Sequence, residues 1–279
     1  MTALRALIAV VASLLATLAA AQERVSFPSF DGAGNAPVVL NGYFFAAATS
    51  PAPAIAMFHG CGGAYDGKGA LSRRLREYAE LFNGLGMHVL VVDSLTARYE
   101  KELCTQRTGT RRVTQANRRL DALGAIAYLA ERSDVDEKRI GLIGWSNGAS
   151  TVLAATNLRH RDVAAATIRP AFAIAFYPGC EADLKRGYEP STPLLMLVGE
   201  LDDWTPPAPY VALAQAATEP RPEVERYPGA WHGFDSALPV RLRKDVPNGV
   251  HPGQGVHVGG DAAAWRASRD RVVRFVAEH

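Results

Sequence analysis

Short apolar runs alternate along this chain with longer segments in which apolar residues return every three or four positions. The short runs are Arg24 to Phe30, Pro37 to Phe45, Pro51 to Phe58, Met87 to Val92, Ile140 to Ile143, Ala171 to Tyr177, Pro193 to Val198 and Val224 to Tyr227. Each has the length of a strand, and several are apolar throughout, as strands buried on both faces are. Asp31-Gly32-Ala33-Gly34-Asn35 separates the first two as a turn. Helical spacing links Leu71, Leu75, Tyr78 and Phe82, and Asn83-Gly84 ends that segment. A longer helix is predicted from the stripe Val113, Ala116, Leu120, Leu123, Ala127 and Ala130, with Arg112, Arg118, Arg119 and Asp121 on a solvated face. Ala149 to Ala155 and Pro209 to Thr218 read as two more helices. Asp261 caps a last one, whose inner face carries Trp265, Val272, Phe275 and Val276. Pro178 to Thr192 reads as a plain connection, too short for a cap domain, so the site should be open. Strands alternating with helices predict an α/β fold, one mostly parallel sheet covered on both faces.

The N-terminus breaks this pattern. Met1 to Arg5 carries one positive charge, Ala6 to Leu18 is apolar, and Ala19-Ala20-Ala21 supplies a small-x-small site before Gln22. This is the form of a secretory signal peptide over residues 1–21, with a single domain over 22–279 and no membrane anchor after cleavage. The apolar run is also short for a span. The protein is therefore expected to be exported, periplasmic or secreted. The full chain holds 30 basic and 28 acidic residues. A balance so near neutral argues against nucleic acid as a partner.

The chemistry centres on Gly144-Trp145-Ser146-Asn147-Gly148, between the run Ile140 to Ile143 and the Ala-rich helix. A serine with glycine two positions to either side, between strand and helix, fits the nucleophile elbow of the α/β-hydrolases. The turn is too sharp for side chains at the glycine positions, and the helix points its N-terminus at the site of developing negative charge. Such a serine needs a base and an acid, in the chain order Ser, Asp or Glu, His. Asp202 is the preferred acid, from its spacing between Gly199 and Pro206, with Asp203 and Glu200 as rivals just past the same strand. His232, in the loop Tyr227-Pro228-Gly229-Ala230-Trp231-His232-Gly233-Phe234, is the expected base. The oxyanion needs two amide donors, assigned to the N–H of Asn147 and the N–H of Cys61 in His59-Gly60-Cys61-Gly62-Gly63. Trp145, beside the nucleophile, is a candidate substrate contact.

Together these motifs resemble the dienelactone hydrolase family: HGCGG at 59–63, GWSNG at 144–148, GELDDWTP at 199–206 and YPGAWHGF at 227–234. The resemblance implies nucleophile, acid and base at Ser146, Asp202 and His232. Its best-known members carry a cysteine where this chain has Ser146, and a glutamate in the oxyanion loop where this chain has the His59-Gly60 turn. The expected activity is hydrolysis of carboxylic esters or lactones, small molecules, through an acyl-enzyme and with no cofactor. Peptidase, acyltransferase or polyester depolymerase activity, or a non-catalytic binding module on the same scaffold, are the alternatives.

Three cysteines complete the reading. They lack paired metal-ligand spacing, so no metal site is expected. Export favours a disulfide, expected between Cys104 and Cys180 in loops that follow two strands, with Cys61 left as a free thiol. The long Gly- and Pro-rich stretch from Asp235 to Gly260 should border the pocket, where Arg241 and Arg243 could hold an anionic group.

Overall fold

A computed structural model describes residues 22–32 and 36–279, so the predicted signal peptide and the centre of the first turn lie outside the described residues. Strands β1 (Gln22–Pro28), β2 (Val39–Phe45), β3 (Ala52–Phe58), β4 (His88–Asp93), β5 (Val135–Trp145), β6 (Phe172–Phe176), β7 (Leu194–Gly199) and β8 (Glu223–Tyr227) form one sheet. Its order is β1-β2-β4-β3-β5-β6-β7-β8. The β1–β2 and β2–β4 pairs are antiparallel and the remainder parallel.

The period of two along each strand divides the interior into two layers. On one face Ala54, Ala56, Phe58, Leu142, Ala173 and Ala175 pack beneath helices α2 (Gln115–Ala130), α3 (Asn147–Thr156) and α6 (Ala208–Ala216). The small side chains of this face let α3 lie close to the strands. On the other face Ile55, Met57, Val89, Val91, Ile143 and Ile174 meet α1 (Arg73–Gly84) and α7 (Ala262–Glu278) through Leu75, Tyr78, Phe82, Val272 and Phe275. The Asp261 carboxylate accepts from Ala264 N at 2.8 Å and caps α7 as expected. Two short helices, α4 (Arg161–Ala165) and α5 (Glu181–Arg186), lie in the connections around β6. The 178–192 connection is thus partly helical, and still far too short for a cap domain. The 235–260 segment holds a small antiparallel pair, β9 (Arg241–Arg243) and β10 (Val256–Val258).

Strand order creates the site. The chain steps from β3 outward to β4, then crosses back to place β5 on the other side of β3. Strand order reverses there, and the crevice at the C-terminal ends of β3 and β5 is where such sheets bind ligands.

Two expectations about α2 are corrected. Arg118 and Asp121 are fully buried rather than solvated. Asp121 accepts from Ser29 Oγ at 2.6 Å and from Arg98 Nη2 at 2.7 Å, which ties α2 to the end of β1 and the loop after β4. Arg118 runs to the ends of β3 and β5, where it donates to the His59 carbonyl and to Asn147 Oδ1. The predicted stripe is displaced too: only Val113 and Leu123 of it are buried, and Ala116 is exposed. The side of α2 that meets the sheet, α3 and the loops runs instead through Arg118, Asp121, Ala122, Ala125, Ile126 and Leu129.

Candidate active site

Ser146 stands at the turn from β5 into α3 with φ 53° and ψ −116°, a region that residues with a side chain rarely adopt. The flanking glycines make this turn possible. A Cβ on Gly144 would strike the Gly148 carbonyl, and one on Gly148 would strike the carbonyl oxygens of Phe58 and His59. The Ser146 hydroxyl donates to His232 Nε2 at 3.0 Å, and His232 Nδ1 donates to Asp202 Oδ2 at 2.8 Å. Asp202 Oδ1 accepts from the N–H groups of Trp204 and Thr205 at 2.9 and 2.8 Å, and Thr205 Oγ1 donates to Asp202 Oδ2 at 3.0 Å. These bonds fix the carboxylate and leave His232 one orientation. The imidazole is wedged between the rings of Tyr177 and Trp204, at centroid distances of 4.5 and 4.6 Å.

Asp203 points elsewhere. Its carboxylate accepts from His257 N at 2.8 Å and pairs with His257 Nδ1 at 2.7 Å. It anchors the 235–260 segment, and only Asp202 meets His232. Glu200 forms an ion pair with Arg226 at 2.8 Å.

Ser146 opens onto a cleft of about 590 Å³ whose walls include Cys61, Asn147, Pro178, Trp204, Pro206 and Val250. The Asn147 N–H begins α3, ahead of any intrahelical acceptor. Neither it nor the N–H of Cys61 has an acceptor among the described residues. His59 is buried, and that burial, with Arg118 nearby, drives its pKa down to about 3. The neutral ring donates from Nδ1 to the Gly60 carbonyl at 2.7 Å and accepts at Nε2 from Ser94 N at 3.3 Å, which holds the turn from within.

The expected disulfide pairing is corrected. Cys61 bonds to Cys104, with their Cα atoms 5.0 Å apart, and Cys180 is the free, buried thiol. Burial pushes the Cys180 thiol up to about 12. The reason is sheet order: β4 lies beside β3, so the loops that follow these two strands touch, and Leu103 N donates to the Cys61 carbonyl at 2.7 Å. Strands β3 and β5 stand between β4 and β6, which keeps Cys180 away from Cys104.

Two further expectations fail. Trp145 does not reach the cleft. It is buried in the α1 and α7 layer, stacked on Phe176, and donates from Nε1 to the buried Asp235 at 2.8 Å. As the last residue of β5, two positions after Ile143, it shares that residue's face of the sheet. Arg241 and Arg243 lie on β9 outside the cleft wall, and Arg243 is paired with Asp245. The part of the long segment that does border the cleft is Pro247 to Val250, with Pro252. The cationic side chain in the wall is Arg111, beside Gln115 and Thr205, none of which sequence reading assigned a role at the site. For Arg111 no periodic signal existed, since it lies in an irregular loop.

The dienelactone hydrolase family model matches residues 40–278. This chain belongs to the dienelactone hydrolase family. It is 33% identical over 109 residues to YtaP of Bacillus subtilis (strain 168), which is named as a hydrolase; the match spans 35% of this chain and 36% of that one. Among solved structures, the dienelactone hydrolase-like promiscuous phosphotriesterase P91 from metagenomic libraries superposes with a TM-score of 0.63. It is 18% identical, with 92% of this chain and 98% of that one covered. The propionate-bound esterase Est2 of Thermogutta terrifontis gives 0.60 at 19% identity, with 94% of each chain covered. At such identities these two likenesses speak for the fold. The family and the sheet topology agree on an α/β-hydrolase fold.

Proposed function

We propose that this hydrolase cleaves carboxylic esters or lactones, with Ser146 as nucleophile, His232 as base and Asp202 as its orienting acid. The observation that carries the reading is the continuous hydrogen-bonded line from Ser146 Oγ through His232 to Asp202, opening on a cleft with two free amide donors. Ser146 Oγ attacks the acyl carbon as its proton passes to His232 Nε2, and the N–H groups of Cys61 and Asn147 take the oxyanion. The carbon–oxygen bond to the alcohol then breaks, and His232 returns the proton to the departing oxygen. Water, deprotonated by the same imidazole, attacks the acyl-enzyme and releases the acid. Asp202 stays ionised and steadies the imidazolium. Export is part of the same reading, with a leader over 1–21 and a mature domain from Gln22, and the Cys61–Cys104 bond supports it.

A fluorophosphonate probe and a short-chain p-nitrophenyl ester test the chemistry. The wild type should label at Ser146 and turn over the ester, and Ser146→Ala should do neither. Absence of both in the folded wild type would end the proposal. N-terminal sequencing of the exported protein, expected to begin at Gln22, tests the leader.

A further inference from the structure

The side chain that joins the two halves of the oxyanion site is Arg118, and the mechanism above leaves it without a role. It projects from α2, fully buried, and its two terminal nitrogens go to different walls of the crevice. Nη1 donates to Asn147 Oδ1 at 2.5 Å, and Nη2 donates to the His59 carbonyl at 2.9 Å. Asn147 follows the nucleophile at the end of β5. His59 opens the Gly-rich turn at the end of β3, two residues before Cys61. One planar guanidinium therefore spans the two segments that carry the amide donors. One turn earlier on the same helix, Gln115 Nε2 donates to the Asn147 carbonyl at 3.1 Å, so α2 grips that residue at two points.

Arg118 is costly to keep in this place. Among the described residues no carboxylate is hydrogen-bonded to it, and its Nε has no partner. Asp121, on the same helix, is already engaged by Arg98 and Ser29. Burial opposes its charge, Asp121 and Asp93 nearby favour it, and the net effect lowers its pKa to about 10, which still leaves it charged at neutral pH. A fold does not need such a residue where a Met or Leu would fill the volume.

We propose that Arg118 is the positioning residue of the oxyanion hole: it sets the gap between the Cys61 and Asn147 amides and keeps a buried positive charge behind them. It touches neither substrate nor the reacting atoms. Its fixed fork suits this task, because a guanidinium holds two acceptors at a set separation and orientation. The gap matters because the donors must meet the oxyanion of the tetrahedral intermediate more closely than the ground-state carbonyl. Substrate binding, governed by the rest of the cleft, should depend on it little.

The inference rests on the proposed ester hydrolysis, and one experiment separates the two. Wild type, Arg118→Met, Arg118→Lys and Asn147→Ala are compared for kcat and KM on a p-nitrophenyl ester, for inhibition by a trifluoromethyl ketone, and for melting temperature. Asn147→Ala keeps the amide donor but removes the acceptor that Arg118 holds. Arg118→Met should lower kcat by roughly 10- to 100-fold, about the loss of one well-placed donor, with KM within about twofold. Affinity for the ketone, which forms a tetrahedral adduct, should fall by the same factor as kcat. Arg118→Lys, with the charge but not the fork, should recover part of the loss. Should Arg118→Met fail to fold, Asn147→Ala carries the test, with a fall in kcat and in ketone affinity at unchanged KM. A folded Arg118→Met with wild-type kcat and ketone affinity, whatever its melting temperature, would overturn the proposal, as would equal losses in kcat and substrate binding. If the wild type itself neither hydrolyses the ester nor binds the ketone, it is the ester-hydrolase reading that fails.

Discussion

Reduction of the Cys61–Cys104 bond offers a measurement in which stability and activity should fall together. The bond joins residues separated by 43 positions. In the loop-entropy model, releasing a loop of that size returns to the unfolded chain conformational freedom worth about 4 kcal/mol at 25 °C. Cys180 is the remaining cysteine and is free, so a reductant changes one bond only. Urea unfolding of the oxidised protein and of the same protein in a phosphine reductant should therefore give midpoints about 1 M apart or more, for a slope of ~3 kcal/mol per molar. The chain is identical in both samples, so no mutation confounds the comparison. Because Cys61 also carries a proposed oxyanion donor, kcat on a p-nitrophenyl ester should fall in the reduced sample ahead of global unfolding, with KM little changed. Peptide mapping without reduction gives the pairing directly: Cys180 should alkylate once the chain is denatured, and Cys61 and Cys104 only after reduction. A midpoint difference worth less than about 1 kcal/mol, or a peptide linking Cys104 to Cys180, would refute the reasoning.

The choice of acid predicts that Asp202→Asn lowers kcat by about 10⁴-fold, on the scale of orienting carboxylates. Asp203→Asn should keep wild-type kcat, and an inactive Asp203→Asn beside an active Asp202→Asn would reverse the assignment. His59 titrates near 3 in the folded protein against 6.5 unfolded. The unfolded chain therefore binds a proton that the native state does not, and stability present above pH 6.5 is lost as pH falls towards 3. The slope approaches 1.4 kcal/mol per pH unit, or roughly 2–3 kcal/mol between pH 7 and pH 4.5. Urea titrations of wild type and His59→Gln should show that slope reduced in the variant. Gly148→Ala should destabilise by about 1–3 kcal/mol and cut activity, since its Cβ would press on the Phe58 and His59 carbonyls; wild-type melting and kcat would contradict that packing. Arg111 lines the cleft with no ion-pair partner among the described residues, so Arg111→Ala should raise KM for a hemisuccinate ester about tenfold and spare its neutral isostere. The same comparison in Arg241→Ala and Arg243→Ala should show no selective effect.

Much of this protein is local and therefore legible in one dimension. The apolar runs of β3, β4, β6 and β7, and of β5 from Ile140 onwards, are continuous because both faces are covered there, and this is visible in the residues themselves. The glycine at 144 is likewise a local demand, set by the Gly148 carbonyl in the same turn, whereas the one at 148 answers to the Phe58 and His59 carbonyls at the end of β3. The preference for Asp202 over Asp203 rested on loop spacing, and the structure supplies its physical basis: the two carboxylates diverge, one to His232 and the other to His257. What the sequence could not decide was which loops meet. The partner of Cys104 depends on β4 lying outside β3, a crossover that leaves no trace in composition or period. The same holds for charge. Arg118 and Asp121 sit on the polar side of an amphipathic pattern, as solvated residues do, while Arg241 and Arg243 have the look of a site and lie outside the cleft. Hydrophobic periodicity records which side of a helix avoids water. Whether the other side meets water, a buried carbonyl or a neighbouring loop is decided only when strands distant in sequence are set side by side.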